Sequence, residues 1–395
     1  MLSDYDVFNR HHISFDVVIK LLSPLSHIGE TVGNQSNLRT SIITDLEGIN
    51  NHVFVYSGNA LRNGILRRKG VESFLEQLKI SINPTVHQTL FAGGFIDGGT
   101  ACDLELDKQI RQLIPPISVL GTAKPKGVFN NKNAQMIGGR MAVGDAVLVC
   151  WESAEYIYKH FPPAIPSEAL LGLAQVVKAK DNLHDTRIEA WLKKEEQSPS
   201  MALEYKELIR EWMPFLEEKL RPHTQWLTWN QKVRMDSLKS PDLQGFLEKE
   251  ESKQQLSLFP ESSLSEEKKG KSQKKETKQQ MIMGDWLVQQ GATLYSRWSA
   301  NITAIEEGFI ADALLKFAES PYLGGKSATG CGLISMDVYA TTGGKSEHWL
   351  HISPSSQLVG DRAKMSHQRY LSYLDEYRKY LEELTNSDIK QFLGL

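Results

Sequence analysis

Apolar and polar side chains alternate most clearly over residues 13–21, where Ile13, Phe15, Val17, Ile19 and Leu21 interleave with Ser14, Asp16, Val18 and Lys20. A period of two predicts a half-buried strand, and Pro24 ends it. The polar stretch over residues 27–40 has no period and reads as a loop. A short strand over residues 52–56 runs into Ser57-Gly58 and a helix over 59–68. Ser57 or Asn59 would cap that helix, and Leu61, Ile65 and Leu66 give it one apolar side. A second helix is expected over 71–79. Residues 141–151 read as a strand turned at Gly144-Asp145, residues 167–178 and 201–220 as helices, and 223–234 as a polar, aromatic hairpin arm.

Between about residues 248 and 280 the chain is poor in aromatics and rich in Lys, Glu, Gln and Ser, the composition of a disordered insertion. Order resumes at Met281. Leu294, Ser296, Trp298, Ala300 and Ile302 share one strand face; Thr303 and Glu306 form a capping box that opens a helix with the apolar stripe Ile305, Phe309, Ile310, Ala313, Leu314 and Phe317. A glycine-rich loop then feeds a strand whose core face is Ile334, Met336, Val338 and Ala340. Tyr370, Leu374, Tyr377, Leu381 and Leu384 mark a C-terminal helix that docks on the body or on a partner helix. Two strand-and-helix units, one near each end, are what a ferredoxin-like βαββαβ core needs. The expected class is therefore α+β, with a ferredoxin-like (RRM-like) palm carrying large helical and thumb insertions. Its parts would be 1–68 (first half of the palm), 69–222 (helical or finger region), 223–280 (thumb arm with the charged insertion), 281–345 (second half of the palm) and 346–395 (helical tail).

Composition narrows the chemistry. The 395 residues are 41% apolar and 24% charged, ordinary for a soluble globular protein, and no apolar run is long enough for a membrane span. No secretory leader is read at the N-terminus, and Cys102, Cys150 and Cys331 lie far apart, so they read as buried thiols in a reducing cytoplasm. The net charge of −3 argues against indiscriminate nucleic-acid binding; any such contact must come from local basic patches.

Gly324-Gly325-Lys326-Ser327 ends like a phosphate loop, but Ser320 stands where that motif needs glycine, and a helix precedes the loop while a strand follows it. The loop is either a tight connection or a bare-backbone anion site in which Lys326, Ser327 and Thr329 add a charge and two hydroxyls. Residues 56–68 place a glycine between strand and helix N-terminus, and Arg62 in the first turn gains nothing from the helix dipole, which points to an outside anion. Arg67 and Arg68, near the helix end, also suit a solvated face. Trp226 and Trp229 are either core or stacking platforms beside Asn230, Lys232 and Arg234. The lysines over 268–278 form a solvated linker or order on a polyanion. His11, His12 and His27 lack spaced metal partners, and Asp97 and Asp103 read as turn formers, so no metal, cofactor or catalytic set is expected.

Three segments together resemble the RAMP superfamily, and within it the backbone subunit of class 1 CRISPR effector complexes. They are LLSPLSHIG (21–29), VFVYSGNALRNGILRR (53–68) and the glycine-rich SPYLGGKSATGCGLISM (320–336). IGGRMAVGDAVLV (137–149) and the pair NQKVRMD (230–236) with VQQGATLYSRW (288–298) are similar to the family's thumb and its return strand. The resemblance implies subunits stacked along a CRISPR RNA, in contact with other copies, other CRISPR-associated subunits and, through the guide, a target nucleic acid. Ser57, Gly58, Asn59, Arg62, Asn63 and Arg67 would meet the RNA backbone, Gly324, Gly325, Lys326 and Ser327 would lie beside it, and Asn230, Lys232 and Arg234 would belong to the thumb.

Type III members of the family cleave target RNA with an aspartate after the first strand. Here that segment holds Asn34, Gln35, Asn37 and Arg39, and no aspartate before Asp45. An amide or a cation cannot replace a carboxylate as metal ligand or base. The resemblance therefore implies a non-catalytic type I-like or type IV-like backbone. The alternative is a RAMP endoribonuclease that cuts target RNA or processes the guide precursor, with Asp45 or His27 as its candidates.

Overall fold

The computed structural model describes residues 9–44, 48–95, 103–129, 133–161, 221–234, 281–354, 362–365, 368–384 and 386–393. The alternating N-terminal segment forms β1 (His11–Leu21), followed by β2 (Ile28–Val32), β3 (Gln35–Leu38), β4 (Thr40–Thr44) and β5 (Asn50–Tyr56). A helical run comes next: α1 (Gly58–Leu61), a π-helical segment (Arg62–Arg67) and α2 (Arg68–Leu78). After α3 (Pro84–Phe91), α4 (Leu104–Leu113) and α5 (Pro115–Leu120) lie the short strands β6 (Thr122–Lys124), β7 (Gln135–Ile137), β8 (Met141–Val143) and β9 (Ala146–Leu148), then α6 (Ala154–His160). The rest comprises β10 (Leu227–Arg234), β11 (Met281–Val288), β12 (Thr293–Ile302), α7 (Ala304–Ala318), β13 (Ile334–Thr342), β14 (Lys345–Ile352), β15 (Ala363–Met365), α8 (Gln368–Glu383) and α9 (Asn386–Leu393).

The main sheet runs β15-β14-β13-β1-β12-β9-β5-β4, with β8 also on β12. β1 pairs antiparallel with both β12 and β13, Phe15 standing opposite Trp298 on one side and Ala340 on the other. Taking β1, the α1–α2 run, β8–β9, β12, α7 and β13 in chain order gives βαββαβ, and their order in the sheet is 4-1-3-2. This is the ferredoxin-like arrangement expected from the sequence. The second strand comes from residues 141–148, inside the stretch assigned to an inserted region, so the palm draws on the middle of the chain as well as its ends.

α7 is buried on nearly every side because the sheet, α2, α5 and α8 surround it. Thr303 and Glu306 form the expected capping box, and Glu306 also meets Arg140 at 2.5 Å. Its other acids are paired as well: Glu307 Oε2 with His11 at 2.6 Å, and Asp312 accepting from Ser73 at 2.6 Å. Tyr370, Leu374, Tyr377, Leu381 and Leu384 of the C-terminal helical region are buried against the body, with Tyr377 edge-on to Phe309.

Residues 27–40 are not a loop. β2 and β3 form a hairpin that joins β10 and β11 in a four-stranded sheet ordered β10-β11-β3-β2. β2 is exposed along its whole length and β3 is half-buried only at Ser36 and Leu38, so a single apolar side chain marks its inner face and no apolar period was left to read. The helices expected over 59–68 and 71–79 are one continuous run joined through the π-helical turn. Cys150 is buried, its thiol pushed up to about 12 by desolvation and Glu152, whereas Cys331 is half-exposed, contrary to the expectation of buried thiols throughout. Cys102, Asp45, Asp97, the helices over 167–178 and 201–220 and the tract over 248–280 lie outside the described residues. Among the described residues no helix is long and apolar enough to cross a membrane.

Candidate nucleic-acid interface

β5 ends at Tyr56 and the chain turns at once into α1. Ser57 is the cap, its Oγ accepting from the Ala60 amide at 3.3 Å. The Gly58 amide donates to Asp145 Oδ1 at 2.7 Å, and Gly58 is buried so tightly that a Cβ would run into the Val143 carbonyl. The favourable place for an anion at this helix start is thus filled by the protein's own carboxylate. Glycine at position 58 lets the β8–β9 turn approach the helix start. Asn59, one residue on, is exposed.

The glycine-rich loop reaches this turn directly: the Gly324 amide donates to the Tyr56 hydroxyl at 3.0 Å. Gly324 has φ +81°, and a Cβ there would stand 2.5 Å from the Ser26 carbonyl. The loop is closed by Leu323 donating to Gly332 and moored by Gly332 donating to Pro24, each at 2.8 Å. A single 3-10 turn, Ser327–Thr329, precedes the strand, and no helix opens there, so the context of a phosphate loop is missing. Gly325 is exposed and has neither a positive φ nor a neighbour that a Cβ would touch. Nothing within the described chain requires glycine at that position, the pattern expected of backbone approached from outside.

Lys326 pairs with Asp285 on β11, and Asp285 stands directly opposite Asn230 in the β10–β11 ladder. The structure thereby brings together Ser57, Gly324, Gly325, Lys326 and Asn230, with Ser327 exposed beside them. Further residues complete the junction. His27 Nε2 accepts from the Ser57 amide at 3.2 Å, and its ring packs on Tyr56 with centroids 4.3 Å apart. Burial lowers the His27 pKa, the nearby Arg39 lowers it further, and Asp145 opposes both. Burial raises the Tyr56 pKa, while the Gly324 amide and Arg68 oppose this. Arg39 and Arg68 are exposed, so two cations flank the turn. Sequence patterns gave no signal for Asp285, which strand pairing across distant segments brings here, and gave Tyr56 and Arg39 no role in this cluster.

A second imidazole, His223, accepts from the Phe54 amide at 3.0 Å on the same strand, and its pKa is lowered by burial against the pull of Glu152. Both histidines must be neutral to accept. Their folded pKa values lie below the unfolded 6.5, so between the two values the unfolded chain binds more protons. Stability is therefore full above about pH 6.5 and falls on acidification through that window, by at most about 1.4 kcal/mol per pH unit for each proton. Urea unfolding followed from pH 7.5 to 5 is expected to show this slope, and His27→Gln with His223→Gln to flatten it. An unchanged slope in the double variant would assign the loss to other groups.

Arg62, Asn63 and Arg67 form a separate cluster. Arg67 is only 3% exposed; its guanidinium donates to the carbonyls of Leu90 (3.2 Å), Leu120 (2.9 Å) and Gly121 (2.7 Å), and Nε to Asn63 Oδ1 (3.3 Å). Desolvation, then Arg62, lower its pKa to about 10, still charged at neutral pH. Arg67 is thus a cross-brace between the helical run and α3–α5. Arg62 is half-buried, and its buried Nε has no hydrogen-bond partner among the described residues. No hydrogen bond or ion pair among the described residues links this cluster to the glycine loop.

On the thumb-like arm, Trp226 packs partly on the core under the Arg221 guanidinium, at 5.2 Å. Trp229 and Trp286, directly opposite across the β10–β11 ladder, are 39% and 38% exposed and meet edge to face at 5.2 Å. The alternatives for the two sequence-read tryptophans therefore divide, Trp226 inward and Trp229 outward. The side chains of Lys232 and Arg234 lie outside the described residues.

No protein-family model matches the chain. No curated protein matches it either. Among solved structures it is similar to one described as "Type IV-B CRISPR Complex", at 15% identity and TM-score 0.41, covering 88% of this chain and 96% of that one. It is also similar to the crystal structure of Thermofilum pendens Csc2, at 12% identity and TM-score 0.33, covering 99% of this chain and 84% of that one.

Proposed function

We propose that the chain is a guide-RNA-binding backbone subunit of a multi-protein CRISPR effector complex, assembling with further copies of itself and cutting nothing. The observation that carries this reading is the Gly324 amide on the Tyr56 hydroxyl. It joins the two segments whose sequences resemble RAMP proteins most specifically, although they are far apart in the chain. Around that contact the exposed Gly325 backbone, Lys326, Arg39 and Arg68 offer donors and positive charge to a sugar–phosphate strand. Asn59 and Ser327 add exposed polar groups at its rim. Half-buried Arg62 would make a second contact farther along the helical run. Trp229 and Trp286 on the palm-flanking arm fit a role as stacking faces for bases. A net charge of −3 suits such a local grip, which leaves the rest of the guide to neighbouring subunits.

The endoribonuclease alternative turns on His27. Its Nε2 is occupied by the Ser57 amide, which fits a role in holding the turn. Purifying the protein with the products of neighbouring genes and sequencing the bound nucleic acid tests the proposal. Repeat-derived RNA of uniform length is expected. Preparations free of RNA, or carrying only random fragments, would count against it, and cleavage of a complementary RNA strand would favour the alternative.

A further inference from the structure

On the face of β13 opposite its buried residues, Asp337 stands between two histidines of β14. Its Oδ1 lies 3.1 Å from His348 Nε2 and 2.7 Å from His351 Nδ1. Residues three apart on a regular strand point to opposite faces. Here the register shifts between Val338 and Tyr339: Val338 pairs with Leu350 and Tyr339 with His348, so Trp349 is the extra residue of a bulge. Trp349 and Leu350 are consequently both buried, and His348 and His351 are both turned outward onto the face of Asp337. The bulge thus builds a convergence that spacing in the sequence does not show, which is why a metal went unexpected there.

We propose that Asp337, His348 and His351 form a binding site for a divalent transition metal of the zinc type. The three donor atoms lie within 4.8 Å of one another, and all three side chains are partly exposed, so an ion reaches them from solvent. A tetrahedral zinc with bonds of about 2.0–2.1 Å places its ligand atoms roughly 3.3 Å apart, so the 3.1 Å pair already fits and the 2.7 Å hydrogen bond to His351 opens slightly as the ion replaces its proton. Two imidazole nitrogens and one carboxylate oxygen suit zinc, cobalt or nickel over magnesium and calcium, which take oxygen donors. Three protein ligands leave the fourth place for water or a partner's side chain. The neighbouring Tyr339 ring packs 5.0 Å from His348 and walls one side. Lys364 stands opposite His351 on β15 and is the cross-strand cation that opposes the ion. This site is independent of the RNA-binding reading.

The test uses tag-free full-length protein stripped with chelator and titrated with Zn2+ against a chromophoric zinc indicator. One equivalent per chain is expected, weakened at least tenfold in His348→Ala and in His351→Ala, and not displaced by millimolar Mg2+. Uptake unchanged in the double histidine variant, or displaced by Mg2+, would overturn the proposal. Circular dichroism of the metal-free variants should match the wild type, since the three side chains lie outside the core. Should a variant unfold, Co2+ added to the wild type decides. A visible d–d band with intensity typical of tetrahedral nitrogen–oxygen ligation supports the site, and its absence refutes it.

Discussion

Replacing Arg67 by methionine is expected to destabilise the fold by about 3 kcal/mol or more, a larger loss than for any surface arginine. The methionine fills similar space, yet three carbonyls lose the donors they share, those of Leu90, Leu120 and Gly121. Each unsatisfied buried acceptor costs about 1–3 kcal/mol, partly offset because the charge no longer has to be desolvated. The denaturation midpoint in urea should fall with little change in slope. Arg67→Lys should recover only part of the loss, because one ammonium cannot span the acceptors that a guanidinium fork reaches. A loss below about 1 kcal/mol, coupled to weakened RNA binding, would return Arg67 to the interface.

The second large effect concerns RNA. Combining Arg39→Glu with Lys326→Glu is expected to weaken single-stranded RNA binding about 100-fold, near 3 kcal/mol. An exposed cation–anion pair contributes about 0.2–1 kcal/mol, and reversing the charge adds a repulsion of similar size. Two reversals in one groove therefore reach this range. Lys326 gives less than its full charge, because an incoming phosphate must first take it from Asp285. Thermal unfolding of the variant separates the effect from misfolding, because Lys326→Glu sets a carboxylate against the buried Asp285; Lys326→Gln, which avoids that repulsion, should weaken binding in the same direction.

The palm was legible because the core-facing positions of its strands carry large apolar side chains at alternate places, even though β1 is buried on both faces and α7 on nearly all sides, beyond the half-buried strand expected. Phe15, Val17 and Ile19 on β1, and Met336 and Val338 on β13, are fully buried where the alternation placed them. The β2–β3 hairpin was invisible because it sets only Leu38 against the core and is otherwise held by backbone pairing, which leaves little mark on side-chain choice. In the glycine-rich segments, composition could not tell a glycine needed for packing from one left bare. Gly58 proved to be the first kind and Gly325 the second. Arg67 misled for a related reason: an arginine late in a helix looks solvated until α3 and α5 are known to cover it. The Asp337 cluster depended on a one-residue bulge, which no spacing rule anticipates.

The claim on which the account rests is that a single RNA strand lies across the Tyr56–Gly324 contact and is held there by Arg39 and Lys326. Titrating labelled single-stranded RNA with the wild type and the Arg39→Glu, Lys326→Glu variant over a range of salt measures it directly. Each lost phosphate contact should make the slope of log K against log salt shallower by about 0.7, so a change of about 1.4 is predicted alongside the weaker binding. Identical slopes and affinities for the two proteins would place the RNA elsewhere.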